Sequence, residues 1–284
     1  MRLALTLLIL LAPAIAAAKS RWETLPLPPA MPAASTTGEV DVGGAKIYYA
    51  TYGKGDPVVL LHGGLGNSDH WSFQVPELAR QYQVIVVDSR NQGRSTLSKA
   101  KLTYHAMAAD VLAVLDALGV KRAAVVGWSD GGEIGLDLAI SNPDRVERLF
   151  VFGANYDSNG SKNRRSGTTP TFNAYAVKCK TDFLKMSKNP QAYDAVVDSL
   201  MPVWKSSQAF TKDQIRSIKA YTVVADGDHD EIILLDQIKE MSQLIPHAKL
   251  VVFENASHFA LWQDPTTFTR AVLDFLAVKQ TASK

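Results

Sequence analysis

A serine framed by glycines is the residue of this chain most suited to nucleophilic chemistry. It is Ser129, within the segment Val-Val-Gly-Trp-Ser-Asp-Gly-Gly at 125–132. An apolar, β-branched run typical of a buried strand ends just before it, and residues 133–140 have helical spacing. A turn that joins a strand directly to a helix strains its central residue and lifts that side chain clear. The pattern G-x-S-x-G, from Gly127 to Gly131, therefore predicts a nucleophile elbow.

The same pattern is short enough to arise by chance as a glycine-rich turn with a serine helix cap, so it needs partners elsewhere. A serine hydroxyl needs a base, and the base needs an acid that orients it. His258 follows the last predicted strand, 249–253. The loop after the preceding strand offers four acids: Asp226, Asp228, Asp230 and Glu231. We prefer Asp230, which lies three residues beyond the turn glycine Gly227, and keep Asp228 as the alternative.

The segment His62-Gly63-Gly64 follows another predicted strand and is too glycine-rich for a regular element. Its glycines allow backbone N–H groups to approach a substrate closely. We assign the N–H of Gly64, with Leu65 as the alternative, and the N–H of Asp130 to an oxyanion hole. Such donors each stabilise a transition state by ~3–4 kcal/mol. His62 is interpreted as a brace for this loop, without a part in proton transfer.

The elements that must position these residues alternate between strand and helix. A hairpin is predicted at 39–52, and the later segments read strand 57–61, helix 71–80, strand 84–88, helix 104–118, strand 122–126, helix 133–140, strand 146–153, strand 220–225, helix 236–244, strand 249–253 and helix 268–278. Near-continuous hydrophobic strands indicate a mainly parallel sheet covered on both faces, an α/β fold. Helical segments at 171–186 and 191–203 interrupt the alternation and predict a helical cap at about 155–216.

Length and composition fit this reading. The 284 residues suit one large α/β domain, 39–284, with an insertion. Apolar residues make up 46%, the net charge is +2, and no dense Lys/Arg stripe is present, so nucleic acid is not an expected partner. Cys179 is the only cysteine, which rules out an internal disulfide. It lies in a polar, lysine-flanked stretch and is interpreted as an incidental thiol.

The N-terminus has the features of an export signal. Arg2 precedes an apolar run, 3–15, and three alanines then offer a cleavage site before Lys19. The run is short for a membrane span, so cleavage is preferred over an uncleaved anchor, and no stable span is expected afterwards. Residues 1–18 are thus predicted to be a signal peptide and 19–38 a Pro-rich arm. The mature chain is expected to be periplasmic or secreted.

Taken together, the motifs resemble the α/β-hydrolase superfamily over about residues 39–280. They are His62-Gly63-Gly64, Asp88-Ser89-Arg90-Asn91-Gln92-Gly93-Arg94-Ser95, Gly127-Trp128-Ser129-Asp130-Gly131-Gly132, Gly227-Asp228-His229-Asp230 and Ser257-His258-Phe259. The resemblance implies an eight-stranded, mostly parallel sheet, a cap between strands six and seven, and a triad of Ser129, Asp230 and His258. Asn91 departs from the glycine common in relatives, but asparagine tolerates the left-handed backbone that this turn requires.

The elbow segment also resembles that of the valacyclovir-hydrolase branch. There, the acidic residue after the nucleophile is associated with the amino group of amino-acid esters. By this resemblance the Asp130 side chain would bind substrate. The alternative is an acid that is stabilised by the helix dipole and points away from substrate.

These observations lead us to expect an exported serine hydrolase that cleaves carboxylic esters or related small acyl compounds through an acyl-enzyme intermediate. Lactonase, carbon–carbon hydrolase, aminopeptidase and perhydrolase activities use much the same triad, and a non-catalytic ligand-binding protein is a further alternative. No metal or organic cofactor is required, and the aspartate loop lacks the twelve-residue calcium pattern. Trp128 and Leu65 are expected to contact the substrate. Six aromatic residues are candidates for lining an apolar pocket: Trp71, Trp128, Phe172, Tyr175, Trp204 and Trp262.

Overall fold

An eight-stranded sheet forms the centre of the fold in the computed structural model, which describes residues 19–162, 169–206 and 210–278. The strand order is β1-β2-β4-β3-β5-β6-β7-β8. The first two strands pair antiparallel, and β2 also runs antiparallel to β4, whereas all later pairings are parallel. The predicted fold class is confirmed. The strands are β1 Thr36–Asp41, β2 Lys46–Tyr52, β3 Asp56–Leu61, β4 Tyr82–Val87, β5 Ala123–Trp128, β6 Val146–Phe152, β7 Tyr221–Gly227 and β8 Ala248–Phe253.

Helices cover both faces of this sheet. They are α1 Val75–Leu78, α2 Tyr104–Ala117, α3 Asp130–Ser141, α4 Pro170–Met186, α5 Tyr193–Ser206, α6 Lys212–Arg216, α7 Leu235–Leu244, α8 Ala260–Gln263 and α9 Pro265–Ala277. Helices α2, α3 and α7 contribute to one hydrophobic core, and α1, α8 and α9 to the other. Alternate residues of a strand join opposite cores: Val59 packs into the first and Val58 into the second. This explains why the central strands are apolar at almost every position.

Two predicted helices differ from those observed. The helix predicted at 71–80 is a 3₁₀ turn at Ser68–Trp71 followed by the short α1. Pro76 explains the break, because its nitrogen cannot donate the bond that a continuous helix would need. The helix after the elbow begins at Asp130 instead of 133. The first turn contains two glycines, which have poor helix propensity, so the sequence pattern predicted a later start.

Helices α4, α5 and α6 lie between β6 and β7, in the segment predicted to carry helices. Helix α4 begins at Pro170 and is capped by Thr169, whose hydroxyl accepts a hydrogen bond from the amide of Phe172. Its inner face is buried through Tyr175 and Cys179. We call α4, α5 and α6 the cap helices.

The N-terminal arm lies against the domain. Its first residues form a 3₁₀ turn, Arg21–Glu23. Leu25, Met31 and Ala34 then pack against the second core. Within residues 19–162, 169–206 and 210–278, no helix is long and apolar enough to cross a membrane. The signal peptide predicted at 1–18 lies outside the described residues.

Candidate active site

Ser129 lies between the end of β5 and the start of α3, with φ 54° and ψ −124°. Its N–H donates to the carbonyl of Phe152, at 2.9 Å. The flanking glycines are sterically required. A methyl group on Gly131 would lie 2.1 Å from the Leu61 carbonyl oxygen, and one on Gly127 would lie 2.2 Å from the Gly131 oxygen. Backbone packing therefore holds Ser129 in a left-handed conformation that costs about 1–3 kcal/mol.

His258 and Asp230 form a buried pair at the ends of neighbouring strands. His258 Nδ1 lies 2.6 Å from Asp230 Oδ2, and the two residues are only 3% and 2% exposed. The other oxygen, Oδ1, accepts from the amides of Ile232 and Ile233, at 2.5 and 2.7 Å. With the carboxylate held in this way, Nδ1 carries the proton and Nε2 is left as the basic nitrogen.

The other acids of this loop have different partners. Asp228 accepts from the amides of Asn255 and Ala256, at 3.0 and 3.1 Å, and so joins the loops after β7 and β8. Asp226 is fully buried, and burial and the neighbouring Asp230 carboxylate hold its pKa well above the usual range. Among the acids considered from sequence, the structure brings Asp230 to the imidazole.

Glu231 also takes part in this region, through the backbone. Its Oε2 accepts from the amide of His258 at 3.2 Å, and its Oε1 accepts from the hydroxyl of Thr171 at 2.6 Å. Since Thr171 belongs to α4, this carboxylate connects the histidine loop to a cap helix.

Burial and charge act in opposite directions on the triad acid and base. Burial alone would lower the pKa of His258, but the charge and hydrogen bond of Asp230, helped by Glu231 and Asp130, outweigh it and raise that pKa. Burial alone would raise the pKa of Asp230, but the charge and hydrogen bond of His258 outweigh it and lower that pKa. The pair therefore favours an ionised acid beside an imidazole that is more basic than usual.

Two backbone amides flank the serine. The N–H of Asp130 belongs to the first turn of α3, where helix geometry leaves donors without intrahelical partners. Gly64 approaches from the other side, and its carbonyl accepts from the Tyr175 hydroxyl at 2.8 Å. A methyl group on Gly64 would lie 2.6 Å from both Asp130 Oδ2 and the Trp204 ring. A side chain at position 64 would have to displace Asp130 or Trp204, and the assignment of the Gly64 and Asp130 amides to an oxyanion hole stays a prediction.

His62 braces the same loop. Its Nδ1 lies 2.7 Å from the carbonyl of Gly63, and its Nε2 accepts from the amide of Ser89 at 3.0 Å. Burial lowers the pKa of His62 to about 4, so the ring is neutral near pH 7. Asn91, in the loop that follows Ser89, has φ 70°, and so the expected left-handed asparagine is confirmed.

A cavity of about 350 Å³ joins these groups. Ser129 and His258 lie on its wall together with Trp128 and Leu65, the two residues expected to contact substrate. Of the other aromatic candidates, Phe172, Tyr175 and Trp204 line it, whereas Trp71 and Trp262 are buried in the second core. The lining also includes polar residues that the sequence analysis did not assign to the cavity: Tyr104, Glu133, Asn155, Asp157, Ser158, Ser161, Lys162 and Lys205. Glu133 alone had a usable signal, since it follows Asp130 by three residues and shares its helix face.

The carboxyl group of Asp130 lies at the cavity wall instead of pointing away from it. Tyr104 donates to it at 3.1 Å, and the indole N–H of Trp204 lies 3.0 Å from each oxygen. Burial raises the pKa of Asp130 despite these hydrogen bonds. Burial and the Asp130 charge also hold the pKa of Glu133 well above its usual value. We call Asp130 and Glu133 the acidic pole of the cavity.

No metal centre is evident in the part of the chain that the structure describes. None of its groups of three or more His, Cys, Asp or Glu residues could hold a metal ion. At the cavity, the described residues include a serine and an imidazole that an aspartate orients.

Comparison with known proteins agrees with this geometry. Residues 56–165 match the family profile described as the alpha/beta hydrolase fold. A 2-hydroxy-6-oxo-2,4-heptadienoate hydrolase of Pseudomonas putida is 30% identical over 263 residues, which cover 84% of this chain and 95% of that protein. A putative carbamate hydrolase of Azorhizobium caulinodans is 39% identical over 109 residues, 38% of this chain and 41% of that protein.

Solved structures give the same fold. A meta-cleavage product hydrolase from Pseudomonas fluorescens aligns with TM-score 0.73 and 22% identity, over 84% of this chain and 97% of that one. An N-acyl homoserine lactone degrading enzyme aligns with TM-score 0.64 and 28% identity, over 84% of this chain and 100% of that one.

The contrast between the two buried histidines is testable by NMR. We expect the His258 imidazole to protonate with a midpoint above pH 6.5, because Asp230 stabilises its charged form. His62 should stay neutral until the pH approaches about 4, because burial dominates there. Imidazole ¹⁵N shifts measured over this pH range report both values.

Asp230→Asn is the control, because it removes the charge but keeps a similar shape. The midpoint of His258 should then move to lower pH, and that of His62 should stay unchanged. A His258 midpoint below 6.5 in the unaltered protein would contradict the pairing.

Proposed function

Because the chain belongs to the α/β-hydrolase family, we propose that this hydrolase is an exported serine enzyme that cleaves carboxylic esters or related acyl compounds. The observation that supports this most directly is the buried hydrogen bond between His258 and Asp230 beside a cavity that Ser129 shares. A serine hydroxyl becomes a useful nucleophile when such an imidazole accepts its proton.

The proposed reaction begins with attack of Ser129 Oγ on the acyl carbonyl. In the described part of the chain, no hydrogen bond joins Ser129 to His258, so the bond that carries the proton must form when substrate binds. Such bonds are often loose in ligand-free sites and tighten in the complex. His258 takes the proton, and the amides of Gly64 and Asp130 stabilise the oxyanion.

Collapse of this intermediate releases the alcohol, which His258 protonates. The same imidazole then removes a proton from water, which attacks the acyl-serine and releases the carboxylic acid. Asp230 holds the imidazole in one tautomer and stabilises its cationic form through both half-reactions. Apart from water, no step of this route calls for a group from outside the chain.

Cleavage of carbon–carbon bonds is the second candidate, since the Pseudomonas putida relative is named as a dienoate hydrolase. The charges on the cavity wall do not separate the two candidates. Asp130 and Glu133 lie on it, but burial raises the pKa of both, and Lys162 and Lys205 line the same cavity. A dienoate carboxylate has lysines to pair with, and an uncharged ester or lactone meets no opposing charge. Turnover of each substrate class decides between them.

Replacing the nucleophile tests the mechanism. We expect Ser129→Ala to reduce hydrolysis of p-nitrophenyl acetate by about 10⁴-fold or more, because the covalent route is lost. A fluorophosphonate probe should label the unaltered protein at Ser129 and leave the variant unlabelled.

Ser242→Ala, on the surface of α7, is the matched control and should keep full activity. If Ser129→Ala hydrolysed p-nitrophenyl acetate at nearly the wild-type rate, the proposed mechanism would be wrong. Failure of the unaltered protein to label would support a binding protein instead. Turnover of a 2-hydroxy-6-oxo-dienoate without turnover of esters or lactones would assign the chain to carbon–carbon hydrolysis.

The side chain of Asp130 is proposed to bind an amino group on the acyl part of the substrate, as the elbow resemblance suggests. Its carboxyl group lies on the cavity wall one residue from the nucleophile. An ammonium group there would gain a charge-assisted hydrogen bond and would favour the ionised acid.

Two substrates of equal carbon skeleton test this role, ethyl alaninate and ethyl propionate. Asp130→Asn should lower kcat/KM for the amino ester by about 10- to 100-fold, the value of a hydrogen bond to a charged group. The propionate ester should change little, because the backbone donor at 130 is retained. Equal losses on both esters would show that the carboxyl group only supports the site.

Export is proposed from the leader. When the full-length chain is produced in a Gram-negative host, the protein should appear in the periplasm. Its measured mass should match a chain whose first residue is Lys19. Leu8→Arg, which places a charge in the apolar run, should keep the protein uncleaved and inside the cell. Recovery of the unaltered chain in the cytoplasm with Met1 still attached would contradict the proposal.

A further inference from the structure

The N-terminal arm reaches the loop that carries His258. Arg21 Nε donates to the carbonyl of Asn255 at 3.1 Å, and a second guanidinium nitrogen donates to the carbonyl of Glu254. The remaining nitrogen pairs with Asp264 at 2.5 Å. A half-exposed ion pair of this kind contributes little energy by itself. The guanidinium N–H groups of Arg21 nevertheless hold the backbone at Asn255, three residues before His258.

Gln263 connects the N-terminal arm to the residue beside His258. Its Nε2 donates to the carbonyls of Trp22 and Thr24, at 3.1 and 2.8 Å. Its Oε1 accepts from the amide of Ser257 at 2.8 Å, and Ser257 is the neighbour of His258. Gln263 is buried, so both amide positions are held in place. One side chain thus joins the arm to the residue beside the base.

Trp22 provides the contact with the acid loop. Its ring stacks on His229, with centroids 4.8 Å apart and planes 15° from parallel. His229 precedes Asp230, and its N–H donates to the carbonyl of Ala256 at 2.9 Å. The arm therefore touches the loops after β7 and β8 on the side away from the cavity.

We infer that residues 21–24 act as a positioning element for the catalytic pair, holding the Asp230 and His258 loops at the separation their hydrogen bond requires. None of the described arm residues lines the cavity, so the arm acts through the two loops and not on substrate. A hydrogen bond of 2.6 Å between two buried groups leaves little room for displacement. This inference rests on the triad of the proposed function.

The experiment uses the full-length chain with Arg21→Ala, Trp22→Ala and the two combined. Gln263→Glu is a separate test, because it keeps the acceptor for Ser257 but removes both donors to the arm. Arg21→Lys is the conservative variant, which keeps the charge and loses the guanidinium N–H groups. Leu27→Ser is the matched control, since Leu27 is 60% exposed and lies further along the same arm.

We expect the double variant to lower kcat for an ester by at least about tenfold with KM nearly unchanged, because small misplacements of catalytic groups cost up to about 100-fold. The His258 midpoint should move to lower pH, since a loosened Asp230 raises it less. Gln263→Glu should act in the same direction, Arg21→Lys should recover part of the rate, and Leu27→Ser should match the unaltered protein.

Thermal unfolding of each variant separates this effect from simple destabilisation, because rates are measured well below the melting temperature. Unchanged kcat and an unchanged His258 midpoint in the double variant would overturn the inference. So would a loss of rate that only follows the unfolded fraction. An unaltered protein that is inactive and unlabelled by fluorophosphonate would instead overturn the proposed function.

Discussion

The left-handed backbone of Ser129 depends on how closely β3, β5 and α3 approach one another. Gly131 leaves no space for even one methyl group before the carbonyl of Leu61. Because β3 continues into the loop of Gly64, the same contact that strains the proposed nucleophile also brings the proposed oxyanion donor towards it. The strain at Ser129 and its closeness to Gly64 therefore both result from the same backbone packing, before any side chain is considered.

The cap helices do more than cover the cavity. Tyr175 fixes the peptide of Gly64, Thr171 reaches the acid that binds the His258 amide, and Trp204 holds the carboxyl group of Asp130. Each contact runs from a cap helix to a loop of the core. A substitution in a cap helix is therefore expected to alter the positions of the site residues as well as the shape of the cavity.

The sequence was sufficient for the sheet and for bringing His258 together with Asp230 beside the cavity that Ser129 lines. Central strands are buried on both faces, which leaves an unbroken apolar run, and the reactive residues follow strand ends. It was insufficient where the outcome depends on distant partners. The direction of the Asp130 carboxyl is set by Trp204, 74 residues further along the chain. Asp230, and not another aspartate of its loop, meets His258 because the amides of Ile232 and Ile233 hold its carboxylate. Residue spacing in the sequence does not reveal these hydrogen bonds.

Cys179 has a consequence for where this protein can work. It is fully buried in α4, and burial raises the pKa of its thiol well above the usual value. A thiol that solvent does not reach and that stays protonated neither exchanges with other disulfides nor reacts readily with oxidants. The single cysteine is thus chemically silent. This thiol therefore places no redox condition on the folded domain.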